Sequence, residues 1–492
     1  MSHYTRPIAI SKKIRAQGVK GPKYTIWNGS NEEIKNMTFK AEEIVMDINN
    51  HDFIPRVLPH YLKWMSLYGK TFTYWFGRTP RICILDSNQV KQILSNRTGI
   101  YPKVDPHPLS VLLGKGLVLS NGDQWARHRQ VVNPAFHMDK LKMMTKSMAK
   151  CAQSMVEKWT EIITKAETES NQPVEMEVSS HFLEMTADVI SHTAFGSNYM
   201  KGKEVFLAQK EQQMLLFKFL LKVPFPGYKY LPTKDNLYKR KLDKTVNDML
   251  MQIINERFEK KECGYGNDLL GLMLEACMQG GEENRLSMEE LIDESKTFFF
   301  AGHETTSHLL TWTMFLLGTN KEWQEKLREE VIRECGHDVP TGDVLNKLKL
   351  MNMVLLEALR LYGPVVNLRR QALQDLELGD IKVPKGTVLA IPVAILHRDK
   401  ELWGPDADKF SPVRFENGVN KAAKHPNALL AFSIGPRSCI GQNFAMLEAK
   451  IVVSLILQRF SFNISPNYVH APIELITLQP KFGLQMNIKR LE

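Results

Sequence analysis

Ten consecutive residues, Phe432-Ser433-Ile434-Gly435-Pro436-Arg437-Ser438-Cys439-Ile440-Gly441, constrain this chain more than any other segment, because they surround one cysteine with what a metal-ligating thiolate requires. Gly435 and Gly441 carry no Cβ, so the backbone can wrap closely around a large flat group and turn N–H donors toward the sulfur. The apolar run from Phe444 to Phe460 has helical spacing, which places Cys439 just before a helix N-terminus, where the macrodipole favours an anion. Arg437 adds a positive charge beside it. A buried structural cysteine in a glycine-containing loop is the competing reading, and it leaves so many matched neighbours unexplained.

The pattern F-x-x-G-x-R-x-C-x-G closely resembles the haem-binding loop of the cytochrome P-450 superfamily, with Phe432, Gly435, Arg437, Cys439 and Gly441 at the five fixed positions. The resemblance implies haem b held by Cys439 as the sole protein ligand of the iron, with Arg437 suited to a haem propionate. It also implies a mainly α fold with small β-sheets, the haem lying between a long central helix and the cysteine loop, over about Tyr61 to Asn487. Residues 61–492 are then one catalytic domain, and 1–60 a basic N-terminal segment and hinge.

Two further motifs depend on that context. Glu357-Ala358-Leu359-Arg360 puts a carboxylate and a guanidinium on one helix face, a pair that in isolation is usually an exposed surface bridge. In the family such a pair locks to a downstream arginine, matched here by Arg414, and supports the segment beneath the haem. Ala301-Gly302-His303-Glu304-Thr305-Thr306 matches A-G-x-[DE]-T-[TS] in the long helix. Gly302 is expected to let backbone approach the haem, and Thr305 to bond a carbonyl one turn back. Oxygen activation consumes two protons, so Glu304 and Thr305 are expected to form a carboxylate and hydroxyl relay. Trp125 and Arg129, four apart on a predicted helix, can face one cofactor edge, and family matches give Arg370 and Arg437 the same propionate-binding task. His128 stays unassigned.

Composition sets the frame around these motifs. The 492 residues, 43% hydrophobic and 24% charged, describe an ordinary globular chain, read as one domain. Six scattered cysteines with no C-x-x-C pair suit a reducing compartment. Net charge is +10, and the first thirty residues hold Arg6, Lys12, Lys13, Arg15, Lys20 and Lys23 without an acidic residue. No nucleic-acid recognition motif accompanies that charge, a basic segment before Gly21-Pro22 suits an anionic membrane surface equally well, and the family resemblance favours the membrane. Relatives commonly begin with an apolar anchor, and the start Met1-Ser2-His3-Tyr4 leads to the expectation that truncation or a natural soluble form has removed it. The intact protein is expected at the cytosolic face of the endoplasmic reticulum. Met214 to Phe217, Phe219 to Leu221 and Val223 to Phe225, interrupted by Lys218 and Lys222, suit an interfacial contact. Thr297 to Thr319 is long enough to span a bilayer, but His303, Glu304 and His308 argue for a buried helix beside a cavity.

Local patterns predict strands over Thr71–Phe76 and Pro80–Leu85, and helices from Gln124 to about Leu361, the long one opened by a capping box at Ser287 and Glu290. Strands return after Pro364, a last helix follows Gly441, and a hairpin over Pro472 to Leu484 closes the chain. No glycine-rich nucleotide motif is present, so electrons are expected from NADPH through a separate reductase, with Arg127, Lys140, Lys142 and Lys424 as docking cations. The relay motif favours a monooxygenase using O2 over a haem-thiolate isomerase or dehydratase, while a non-catalytic haem sensor or carrier would need only Cys439 and is not excluded by the sequence. Gln17 to Pro22, Asn133 to Phe136, Ala187 to Ile190 and Phe195-Gly196 resemble the plant clan that oxidises hormones, terpenoids and fatty acids. The expected substrate is therefore bulky and lipophilic. Candidate pocket residues are Leu109, Val111, Leu112, Phe299, Phe300, Val365, Val366 and Ile473, with Ser110, Asn367 and Thr477 as polar contacts.

Overall fold

The computed structural model describes residues 5–104, 109–167, 173–196, 199–220, 231–259, 264–266, 268–279, 281 and 285–491. Its axis is the helix Met288–Thr319, 32 residues and about 48 Å long at 1.5 Å per residue. The helix starts where expected: Ser287 Oγ accepts from Glu290 N at 3.1 Å, and Glu290 Oε2 accepts from Ser287 N at 2.9 Å. Beyond its first turns nearly every residue is buried, because apolar side chains occur on all sides of it. The helices Val178–Phe195, Lys349–Tyr362 and Gln442–Arg459 pack around it. Gly302 permits one of these contacts: a Cβ there would lie 2.6 Å from Ile190 Cδ1. Gly302 also lines the cavity that holds Cys439. Among the described residues no helix is long and apolar enough to cross a membrane.

Among the described residues four small sheets accompany the helices. The largest orders Thr73–Phe76, Thr79–Cys83, Val388–Ile391 and Leu368–Gln371, and its inner strand Val388–Ile391 is buried throughout. The N-terminal segment covers the edge of this sheet. Thr73 N donates to Lys20 O at 2.9 Å, Ser30 N to Trp75 O at 2.8 Å, and Ile14 is fully buried. Gly21 lies so close to the strand that a Cβ would collide with Thr73 O. At the other end the expected hairpin forms between Pro472–Leu475 and Thr477–Pro480, but it does not close the chain. Gln485–Arg490 continues as the middle strand of a sheet with Val174–Glu177 and Phe460–Ile464, tying the C-terminus to the helical body.

Candidate active site

The cysteine loop is held by its own backbone. A 3-10 turn at Gly435–Arg437 precedes Cys439, whose N–H donates to Phe432 O at 2.9 Å, and the helix Gln442–Arg459 follows. Gly435 has φ +74°, and a Cβ would stand 2.4 Å from Leu94 O, so the neighbouring chain requires glycine here. Cys439 lies deep in the protein yet turns its sulfur into open cavity space. Burial pushes its thiol up, while the Gly441 N–H, Arg129 and Lys103 favour the thiolate.

That cavity has a volume of about 160 Å3. The central helix forms one wall through Thr297, Phe298, Ala301, Gly302, Thr305 and Thr306; Phe432, Arg437, Cys439 and Gly441 form the opposite one. Trp125 and Arg129, from the helix Gly122–Val132, close an edge. Phe136 stacks on Phe298 at 5.7 Å between ring centroids and completes an aromatic side.

Lys103, Arg129 and Arg437 line the edge of this space, and Arg370 lies near enough to Lys103 and Arg437 to act on their charge. Among the described residues none of these cations has a carboxylate partner within salt-bridge distance. Burial and the charges of Arg370, Arg437 and Arg129 bring Lys103 down to about 7. Burial, then Arg370 and Arg129, brings Arg437 down to about 10, and burial does the same for Arg370. Backbone and amide oxygens fix the heads: Arg437 Nη1 donates to Ser120 O at 2.7 Å, Arg129 Nη1 to Ser438 O at 3.1 Å, and Lys103 Nζ to Val118 O at 2.8 Å. Arg437 also lies 4.3 Å over the Trp125 ring. Mutually repelling cations with no acid between them fit a polyanionic edge such as two propionates, and the cysteine across the cavity fits the iron. Lys103 was missed in the sequence because a single lysine after Tyr101-Pro102 carries no pattern.

Thr305 Oγ1 donates to Ala301 O at 2.9 Å, one turn back, and lines the cavity. Glu304 does not line it. Its Oε1 accepts from Gln213 Nε2 at 3.0 Å and from Thr477 Oγ1 at 3.1 Å, clamped by the helix Tyr199–Leu220 and the C-terminal hairpin. Burial raises its carboxyl, but His308, His303 and these two donors outweigh it and hold it below the usual value. Thr477 is thus engaged with Glu304, and Asn367 Nδ2 donates to Tyr61 OH at 2.9 Å.

Several pocket candidates stand elsewhere. Phe299 stacks on Phe195 at 4.0 Å, on the face of the helix turned from the cavity. Leu112 and Phe300 form a small apolar cluster with Leu113 and Leu216. Val366 and Ile473 are buried, Val365 is 38% exposed, and none of the three lines the cavity. The side chains of Leu109 and Val111 lie outside the described residues. So do residues 221–230 and the side chains of 217–220, which hold most of the proposed membrane stretch; Met214 within it is exposed and Leu216 buried.

Glu357, Arg360 and Arg414 come together in the protein interior. Arg360 Nε and Nη2 each donate to a Glu357 carboxylate oxygen at 2.7 Å, with both side chains fully buried. Arg360 also reaches His397 O, Ala407 O and Lys409 O, while Arg414 Nε lies 3.7 Å from Glu357 Oε1. Of the docking cations, Arg127 is paired with Glu290 and Lys142 with Asp343. His128, fully buried, places Nδ1 at 2.5 Å from Glu294 Oε1 and joins its helix to the central one.

The family model described as "Cytochrome P450" matches residues 57–486. Cytochrome P450 709B1 of Arabidopsis thaliana is 48% identical over 99% of this chain and 94% of its own length. Cytochrome P450 734A1 of the same plant is 41% identical over 99% of this chain and 93% of its own length. Cytochrome P450 CYP72A616 of Paris polyphylla is 42% identical, with 99% and 94% covered.

Proposed function

The chain belongs to the cytochrome P450 family and is a haem-thiolate monooxygenase; on that premise we propose that it hydroxylates a bulky, largely apolar molecule with electrons passed from NADPH by a separate flavoprotein reductase. The observation that carries the reading is the union, across one cavity, of Cys439, an unpaired cation cluster and Thr305. Cys439 would hold the iron, and Lys103, Arg129, Arg370 and Arg437 the propionates. Bound there, haem supplies the binding and reductive activation of O2.

The chain's own residues exclude water and handle protons. Phe136, Phe298 and Ile190 wall the cavity with hydrocarbon. Thr305 brings the side-chain hydroxyl of the relay to it. Glu304 stands outside the wall, so its carboxylate serves Thr305 through a bridging water or after release from Gln213 and Thr477. The apolar surroundings favour a terpenoid, a steroid-like hormone or a fatty acid, bound mainly by burial worth about 25 cal/mol per Å2. We place the protein at the cytosolic face of the endoplasmic reticulum, in keeping with the basic start and the exposed Met214. Lys140 and Lys424, neither of them in an ion pair among the described residues, remain candidates for docking the reductase.

Purified protein with added reductase and NADPH is assayed against terpenoids, steroids and fatty acids, beside Cys439→Ala. Turnover of one lipophilic class, lost in Cys439→Ala together with the carbon monoxide band of the thiolate-ligated haem, is expected. Turnover confined to small, charged, water-soluble compounds overturns the substrate class, and an intact band in Cys439→Ala overturns the ligand.

A further inference from the structure

A second group of metal-binding side chains comes together between two helices, its Asp188 and His192 each two residues from Ile190 of the cavity wall and so turned about 200° from it. Cys151 projects from the helix Met138–Glu167; Asp188 and His192, four residues apart and so on one face, project from Val178–Phe195. The sulfur, a carboxylate oxygen and an imidazole nitrogen all lie within 4.8 Å of one another, with His192 Nε2 3.5 Å from Asp188 Oδ1. We propose that Cys151, Asp188 and His192 form a zinc-binding site, distinct from the haem site, that clamps these two helices together.

The donor set selects the metal. Thiolate, imidazole and carboxylate together suit Zn2+, whereas Ca2+ and Mg2+ call for oxygen ligands alone. Zinc bonds of about 2.0–2.3 Å hold tetrahedral donors roughly 3.3–3.8 Å apart, so side-chain rotation of about an ångström closes the site. Access is open, since the Asp188 and His192 side chains are 29% and 37% exposed, and water can fill the fourth position.

Burial pushes the Cys151 thiol up, Asp188 adds to this through its charge and a hydrogen bond with the thiol, and Lys150 opposes them. A dication reverses that balance. Zn2+ forms its bond to sulfur as the thiol proton leaves to water, so one proton is released per ion, and affinity rises about tenfold per pH unit while that thiol is the group deprotonated.

Haem-loaded protein, stripped with a chelator, is titrated with ZnCl2 against a competing fluorescent chelator, and bound zinc is counted by mass spectrometry against haem iron. One zinc per haem is expected, tightening about tenfold from pH 7 to pH 8 and shielding Cys151 from alkylation. His192→Gln and Asp188→Asn, at part-exposed positions, are expected to weaken binding at least tenfold with the carbon monoxide band unchanged; Cys151→Ser is expected to abolish it. Absence of saturable zinc, or binding indifferent to both His192→Gln and Asp188→Asn, overturns the proposal whether or not Cys151→Ser folds.

Discussion

Replacing Arg360 by lysine tests how much of the protein's stability rests on one buried guanidinium. Arg360 makes two bonds to Glu357 and three more to His397 O, Ala407 O and Lys409 O, all between 2.6 and 3.1 Å. A lysine ammonium has three donors and no planar fork, so at least two of these acceptors lose their partner, and the paired geometry on Glu357 goes with them. Lysine keeps the charge, so the cost is that of at least two buried acceptors left without a donor, about 1–3 kcal/mol each, together at least roughly 30-fold in an equilibrium constant. The pair joins residues 357–360 to 397–411, a contact distant in sequence, so much of that loss falls on the unfolding rate. The half-life of the thiolate-ligated carbon monoxide band at elevated temperature should shorten by at least tenfold in Arg360→Lys. Glu357→Gln combined with Arg360→Met should lose less than the sum of the single changes, because no charge is then left buried and unpaired. A wild-type half-life in Arg360→Lys, or strict additivity in the double variant, would refute the reasoning.

Thr305→Ala should leave haem content unchanged and lower product formed per NADPH consumed by about tenfold or more, with peroxide making up the difference; peroxide and product measured together decide it. Gly435→Ala should cost about 2 kcal/mol or more in loop strain and lower haem occupancy after purification, since its φ is +74° and the Leu94 carbonyl occupies the Cβ position. Burial lowers the His128 pKa, but Glu294 and Glu290 outweigh it and leave the folded value above 6.5. The stability this histidine contributes is therefore complete below pH 6.5 and lost as pH rises through the folded value, and His128→Gln should flatten that limb of the melting-temperature profile. Glu290 works in the opposite sense: burial raises it, but Ser287 N, His128 and Arg127 bring it down to about 2, so its contribution is present above pH 4.5 and lost on acidification toward 2.

Motifs confined to a few residues were readable because their chemistry is local. The cysteine loop, the capping box at Ser287 and the Glu357–Arg360 pair each declare their geometry within one or two turns. The cation cluster was only partly readable: Arg129, Arg370 and Arg437 stand in patterned contexts, whereas Lys103 joins them through tertiary folding alone. Pocket residues were read least well. On a helix buried all round, hydrophobicity is uniform, so no periodic signal says which face meets the cavity. Phe298, Phe299 and Phe300 follow one another in sequence, yet each turns about 100° from the last. Phe298 lines the cavity, Phe299 stacks on Phe195, and Phe300 joins Leu112 and Leu216.

The same rotation separates Glu304 from Thr305. Phe298, Ala301 and Thr305 are spaced by three and four residues, and so share the cavity face. Glu304, one residue before Thr305, is turned about 100° from it and points where the helix Tyr199–Leu220 and the C-terminal hairpin meet. Adjacency in the motif therefore does not make a contact pair. It puts a hydroxyl on one wall of the cavity and a carboxylate at the junction of two elements that cover the helix. The donors that hold this carboxylate, Gln213 and Thr477, lie on those covering elements and not on the central helix. Any ligand that displaces either element must also disturb the hydrogen bonds that keep the Glu304 pKa low, which couples the proton-holding group to occupancy of the space above it.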